Sequence, residues 1–312
     1  MDILVDVILR AGRSAVELAL FTLLPMMVVM LSLMRLLEAR GVIDQIVAHL
    51  GPLLRPAGLT GLGVFAALQI NFVSFAAPVA TLSMMEQRGA SDRQLAATLA
   101  LVMAMPQANV AMPMTAMGLN YGLTLLMSLF GGLVAASITF HVFARHLPSD
   151  EVLVDQTLHH RVADDTKGVL DTINRAGAEA FKIAVGAIPM LVLALVAVAA
   201  LNAAGIMAAI NSIVAPLLNA AGIDSALVTP TLTKYLGGGT AMMGVIDEMR
   251  RHNSLSILSL NQTAGFLIHP LDIPGIAILS SAGPRVASTW RTATLGASIG
   301  ILIRSIGHAV LA

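Results

Sequence analysis

Pro52-Leu53-Leu54 returns as Pro216-Leu217-Leu218, and this triplet with its copy decides how the chain is read. The same offset of 164 residues carries Pro25 to Pro189, Gly41 to Gly205 and Gly58 to Gly222. An offset of 165 carries Arg10-Ala11-Gly12 to Arg175-Ala176-Gly177. Leucines coincide by chance in any apolar chain, whereas Gly and Pro mark special backbone positions, so their register is the stronger signal. The chain therefore reads as two copies of one unit, residues 1–143 and 169–312, joined by a polar cytoplasmic linker over 144–168. The copies diverge where polar residues interrupt apolar runs: Gln69-Ile70-Asn71 in the first, Lys234-Tyr235-Leu236-Gly237-Gly238-Gly239-Thr240 in the second. Matched scaffolds with unlike polar interruptions imply one binding site built from two halves.

Of the 312 residues, 57% are hydrophobic and 12% charged, against about 25% charged in soluble domains. Apolar stretches of spanning length occur at Ala15–Leu37, Leu119–Phe143 and Phe181–Leu201. The fold class is thus an all-α polytopic membrane protein. Basic residues are scattered, with no run suited to nucleic acid. The absence of Cys excludes disulfides, thiolate metal sites and thiol catalysis. Asp2 and Asp6 stand where a signal peptide is basic, so the first segment is expected to be retained, in a bacterial inner membrane.

Each copy repeats one series. An amphipathic entry segment (Val5–Ser14, Val169–Glu179) leads into a long apolar helix. A short interfacial helix follows, Val42–Leu54 or Ile206–Leu218. The third element, Leu62–Gln87 or Leu227–Arg250, is interrupted at Asn71 to Pro78 or at Lys234 to Thr240. The fourth, Asp92–Met117 or Ser254–Ala282, is interrupted by Pro106, Asn109 and Pro113 or by Pro270, Asp272 and Pro274. An unbroken spanning helix closes each copy, Leu119–Phe143 or Thr292–Ala312. If the third element is a re-entrant hairpin, Arg35, Arg40, Arg55, Arg88, Arg93, the linker bases through Lys182, Arg285 and Arg291 share one face. Arg10, Arg13, Arg250, Arg251 and Arg304 then remain on the other side, with Lys234 inside the membrane. The positive-inside rule favours that arrangement. Three crossings per copy make the copies inverted repeats: six crossings, two hairpins and both termini outside.

Non-helical backbone survives in hydrocarbon only against protein or a watery cavity, so four interrupted elements point to a site near the midplane. Lys234 is the sharpest single residue, because a lysine at the bilayer centre costs about 2.5–3.5 kcal/mol on insertion scales. It reads either as a positive site for a carboxylate, phosphate or polarised carbonyl, or as an ion pair with Asp272 or Glu248. Gly238, Gly239 and Thr240 form a hairpin tip whose bare N–H groups suit an anion. Gln69, Asn71 and Ser74 supply neutral donors and acceptors opposite it, as ligand wall or as interhelical glue. Gln107 and Asn109 lie between Pro106 and Pro113. His269 and Asp272 surround Pro270 and are candidates for proton coupling. No metal site, cofactor or nucleophile–base constellation is read, so no enzymatic chemistry is expected.

With these residues in view, the chain resembles the nucleoside-recognition (Gate) domain family, which includes the spore maturation proteins A and B and the Gate domains of ferrous-iron permeases. The resemblance rests on the doubled Pro/Gly framework and on Gly-Gly-Gly-Thr-Ala-Met-Met-Gly at 237–244. The element order also resembles the core of concentrative nucleoside transporters, which implies an elevator-type carrier. This chain lacks the cysteines of the iron-permease Gate domains, and Lys234 stands where nucleoside transporters place acidic residues. The expected function is secondary transport of a small polar or anionic solute, nucleoside-like or bearing a carboxylate or phosphate. The alternatives are a non-transporting scaffold or signalling module and a divalent metal-ion permease. Expected partners are that solute and the lipid bilayer, with monomer or homo-oligomer left open.

Overall fold

The structure, a computed structural model, describes residues 2–150, 168–206, 208–210, 212–213, 216 and 225–312. Residues 151–167 of the polar linker and part of the second interfacial segment, with Leu217, Leu218 and Gly222, lie outside them. The described residues contain helices and no strand.

The entry segment and first apolar helix form a single run. Helix α1 (Asp2–Glu17) passes through a π-helical turn at Leu18–Leu23 into α2 (Leu24–Ala39). Helix α3 (Val42–Leu54) follows after Gly41, whose φ of 69° turns the chain. It stands at 104° to α4 (Gly61–Phe72), the geometry of an in-plane helix meeting an inserted arm. Gly58 makes that corner: its φ is +81°, and a Cβ there would collide with the Phe140 ring.

Helix α4 ends at Phe72, residues 73–77 turn, and α5 (Pro78–Gln87) begins on a proline, whose missing N–H costs nothing at a first helical position. Thr81 donates to Gln69 Oε1 at 2.7 Å across this turn, so the arms fold back side by side. A continuous helix would separate two residues twelve apart by about 18 Å. The third element is a hairpin.

A capping box at Ser91 and Gln94 opens α6 (Asp92–Ala104). Pro106 ends it, because the residue before a proline avoids helical backbone, and Met105 lies at φ −84°, ψ 150°. The short α7 (Ala108–Ala111), a 3-10 turn at Pro113–Met117, and α8 (Tyr121–Ile138) complete the first copy.

The described residues of the second half form α9 (Val169–Ala203), α10 (Val228–Arg251), α11 (Ile257–Leu267), α12 (Ile273–Ser280), the short α13 (Pro284–Ser288) and α14 (Trp290–Leu311). The break in α10 is narrower than the expected Lys234 to Thr240. Only Gly238, at φ 86° and ψ 173°, leaves the helical path. Five described helices are long and apolar enough to cross a membrane: Val7–Ala39, Asp92–Ala111, Tyr121–Phe143, Val169–Leu201 and Trp290–Leu311. A sixth candidate is the bent pair Val42–Ala57 and Gly61–Phe72, whereas the sixth crossing expected from sequence, Ser254–Ala282, is divided into α11 and α12, each too short to span alone.

Equivalent elements of the copies meet. Helix α2 packs along α9, and α8 along α14. The second contact depends on small residues, since a Cβ on Gly131 would strike Arg304, and one on Gly300 would strike the Gly131 carbonyl. Each hairpin is anchored on the other copy. Arg285 bonds Asp92 and the Ala90 carbonyl, and Glu86 accepts from Val286 N at 3.0 Å. In return Arg250 donates to Met117 O at 3.2 Å, and Asn261 bonds Gly118 O and Asn120 N. One core lies among α4, α5, α6, α8 and α14, and a second among α1, α9, α10 and α11.

Candidate functional site at the helix breaks

Asn109 sits just past the Pro106 break and joins the two hairpins. Its Oδ1 accepts from Phe75 N at 3.3 Å in the tip of hairpin one. Its Nδ2 donates to Thr240 Oγ1 at 3.3 Å, just past the tip of hairpin two. Beside it Gln107 is 2% exposed, and its Nε2 has no partner in the protein. That amide lies against Gly239, where even a methyl group would overlap it. The other tip glycine faces the second copy: a Cβ on Gly238 would lie 3.6 Å from Pro274 and 4.0 Å from Asp272 Oδ1. The glycines of hairpin two thus touch both broken elements, one through each residue. A buried donor left unpaired costs about 1–3 kcal/mol, so Gln107 is a position where an acceptor is wanted.

Lys234 is fully buried and already paired. Its Nζ donates to Asp272 Oδ2 at 2.7 Å and to His269 O at 2.5 Å. Asp272 is engaged through both oxygens, since Oδ1 accepts from Gly275 N at 2.7 Å as the N-cap of α12. Of the two readings of Lys234, the ion pair with Asp272 is the one observed; Glu248 takes no part in it. His269 accepts from Leu271 N through Nδ1 at 3.1 Å, holding the chain around Pro270.

The remaining polar residues divide. Gln69 is spent on Thr81 within hairpin one. Asn71 bonds Ala67 O, Met105 Sδ and Ser128, and its own carbonyl accepts from Tyr121 OH, so it fastens hairpin one to α8. Ser74 is buried in the tip, its N–H bonded to Gln69 O. The geometry brings Gln107, Asn109, Gly239 and Thr240 together, with Lys234, Asp272 and Gly238 adjoining, while Asn71 turns away.

Sequence places Arg304 among the cations outside the membrane, and the structure corrects this. It is fully buried in α14, donating to Ala104 O at 2.5 Å and Ile268 O at 3.2 Å. The 164-residue offset carries Ala104 to Ile268 and Pro106 to Pro270, so one guanidinium holds the equivalent broken ends of both copies. The available signal was a lone arginine in an apolar spanning segment, the same sign that singled out Lys234. His308, one turn further, bonds Asn261 O at 2.9 Å.

Asp247, Glu248 and Arg251 form a separate group toward the far end of hairpin two, roughly 10–16 Å along the arm from Thr240. Arg251 bonds Asp247 at 2.8 Å and Glu17 at 3.2 Å, and these carboxylates, Asp247 first, hold its pKa above the ordinary arginine value. A cleft of about 360 Å³ beside it is lined by Arg10, Arg13, Glu248 and His252.

No family model and no curated protein matches the chain. Solved structures do match its fold. A double variant of CNTnw in an outward-facing state aligns with a TM-score of 0.70 at 16% identity, covering 99% of this chain and 83% of that one. CNTnw in an inward-facing substrate-bound state aligns with a TM-score of 0.67 at 17% identity, covering 99% of this chain and 82% of that one. The resemblance in element order to concentrative nucleoside transporters is therefore a likeness of fold. The resemblance to Gate domains stands on the motif residues alone.

Proposed function

We propose that the chain is a secondary carrier for a small polar organic solute that presents hydrogen-bond acceptors, a nucleoside-like carbonyl, a carboxylate or a phosphate. The observation that carries this reading is the convergence of both hairpin tips on Asn109, next to the unspent, buried amide of Gln107. The solute would lie among Gln107, Asn109, Gly239 and Thr240, with Lys234, Asp272 and Gly238 as the adjoining wall. Gln69, Asn71 and Ser74 set the shape of hairpin one. The fold shared with a protein solved in outward- and inward-facing states supports alternating access. The interlocked hairpins and broken helices fit movement as one body, in the manner of an elevator, against α1, α2 and α9.

The scaffold reading fits less well, because it gives no role to the unpaired Gln107 amide set between the two hairpin tips. A metal-permease role also lacks support, since no group of three or more His, Asp or Glu side chains lies together among the described residues. A thermal-shift screen of purified protein against nucleosides, organic acids and phosphorylated compounds tests the proposal. A stabilising solute whose effect is lost in Asn109→Ala and Gln107→Ala supports it. A solute whose effect survives both substitutions overturns the site, and no uptake of any stabilising solute into proteoliposomes overturns the carrier.

A further inference from the structure

In carriers built on broken helices, the oxygens exposed at the breaks, backbone carbonyls at half-helix C-terminal ends and nearby carboxylates, are where a coupling cation is held. In this chain each broken fourth element has at least one such oxygen bonded by the protein's own cations. Lys234 Nζ lies on His269 O and Asp272 Oδ2. Arg304 lies on Ala104 O and Ile268 O. All four carbonyl and carboxylate contacts are buried, and both cationic side chains are fully buried.

We infer that Lys234 and Arg304 are tethered counter-ions standing in the positions of a mobile cation, so that this site takes no sodium ion. The inference rests on the carrier reading for its meaning, but its test needs no solute. A sodium ion entering beside Asp272 would meet a fixed ammonium within about 4 Å. At an effective dielectric constant near 20 that repulsion lowers affinity roughly a thousandfold. The ion would also have to displace two short hydrogen bonds already made by Lys234. The negative ends of α6 and α11 are likewise already met by a cation, since Arg304 lies at the C-terminal carbonyls of both helices.

Removing the ammonium should uncover the latent site. In Lys234→Gln the Asp272 carboxylate and the His269 carbonyl lose their cation, and a sodium ion can take its place. Thermal unfolding of purified protein, at matched ionic strength in sodium, potassium or choline chloride, reads this directly. Wild type is expected to unfold at the same midpoint in all three salts. Lys234→Gln should unfold earlier in choline and recover saturably in sodium, with the unfolded fraction falling about tenfold when sodium reaches ten times its Kd. Lys234→Gln combined with Asp272→Asn should lose that recovery, and Lys234→Arg should behave as wild type.

Saturable stabilisation of wild type by sodium over choline overturns the inference, even if Lys234→Gln fails to fold. So does a folded Lys234→Gln protein that ignores sodium. Failure of the carrier reading would show instead as absent uptake with these salt responses intact.

Discussion

Lys234 and Arg304 are two buried cations that the fold pairs differently. Lys234 meets a carboxylate and a carbonyl, while Arg304 meets two carbonyls. Removing one partner of a buried ion pair strands the other, so Lys234→Ala should cost about 3–5 kcal/mol of stability. Adding Asp272→Asn should return part of that loss, since Asn can still cap Gly275 N without a charge. Denaturant unfolding of the two single variants and the double variant measures the coupling. Asn109→Ala leaves Phe75 N without its partner, and a drop of about 1–3 kcal/mol is expected, with loss of solute-induced stabilisation in the same experiment. At this scale Lys234 was legible in sequence, because a charge in an apolar stretch is expensive wherever it finally points. Its choice between Asp272 and Glu248 was not legible. Arg304 carried the same signal but stands 8 residues from the C-terminus, where a long side chain can be taken to reach the interface.

At the scale of elements, prolines located three of the four breaks. Pro78 opens the second arm of hairpin one, and Pro106 and Pro270 stop α6 and α11. Hairpin two breaks without a proline, at one glycine among three, and only Gly238 takes the positive φ. With φ +86° and ψ 173° it occupies a region open essentially to Gly alone, so Gly238→Ala is expected to cost about 1–3 kcal/mol in thermal unfolding. Gly239→Ala should behave differently. Its methyl group would push aside the amide end of Gln107, a flexible side chain, rather than strain the backbone. Solute affinity should fall at least about tenfold, roughly 1.4 kcal/mol, while the unfolding midpoint moves little. If both glycine variants lose only stability, the tip is a structural turn and no part of the site.

For the whole molecule, the repeat becomes a physical exchange of contacts. Hairpin one is anchored on the opposite copy through Glu86 and hairpin two through Arg250, with Arg285 and Asn261 tying the neighbouring broken elements. Arginine placement leads us to propose that the copies are inverted, and this can be measured. The chain has no cysteine, so single cysteines placed at Arg40, Gly89 and His146 should react with a membrane-impermeant maleimide from the same side. Cysteines at Arg13 and His252 should react from the other side. Labelling of Arg40 and Gly89 from opposite sides would make the third element a span and the copies parallel.

What the sequence determined by itself is which apolar elements are interrupted and which polar residues sit at the interruptions. Proline, glycine and the length of apolar runs act locally, within a few residues, and can be read along one dimension. Which groups share the site was decided by tertiary structure. Lys234 and Asp272 are 38 residues apart, Asn109 and Thr240 are 131 apart, and Ala104 and Arg304 are 200 apart. A buried polar group must be satisfied by some partner. Sequence states that requirement, but only the packing of helices around the breaks brings the partner within hydrogen-bond reach.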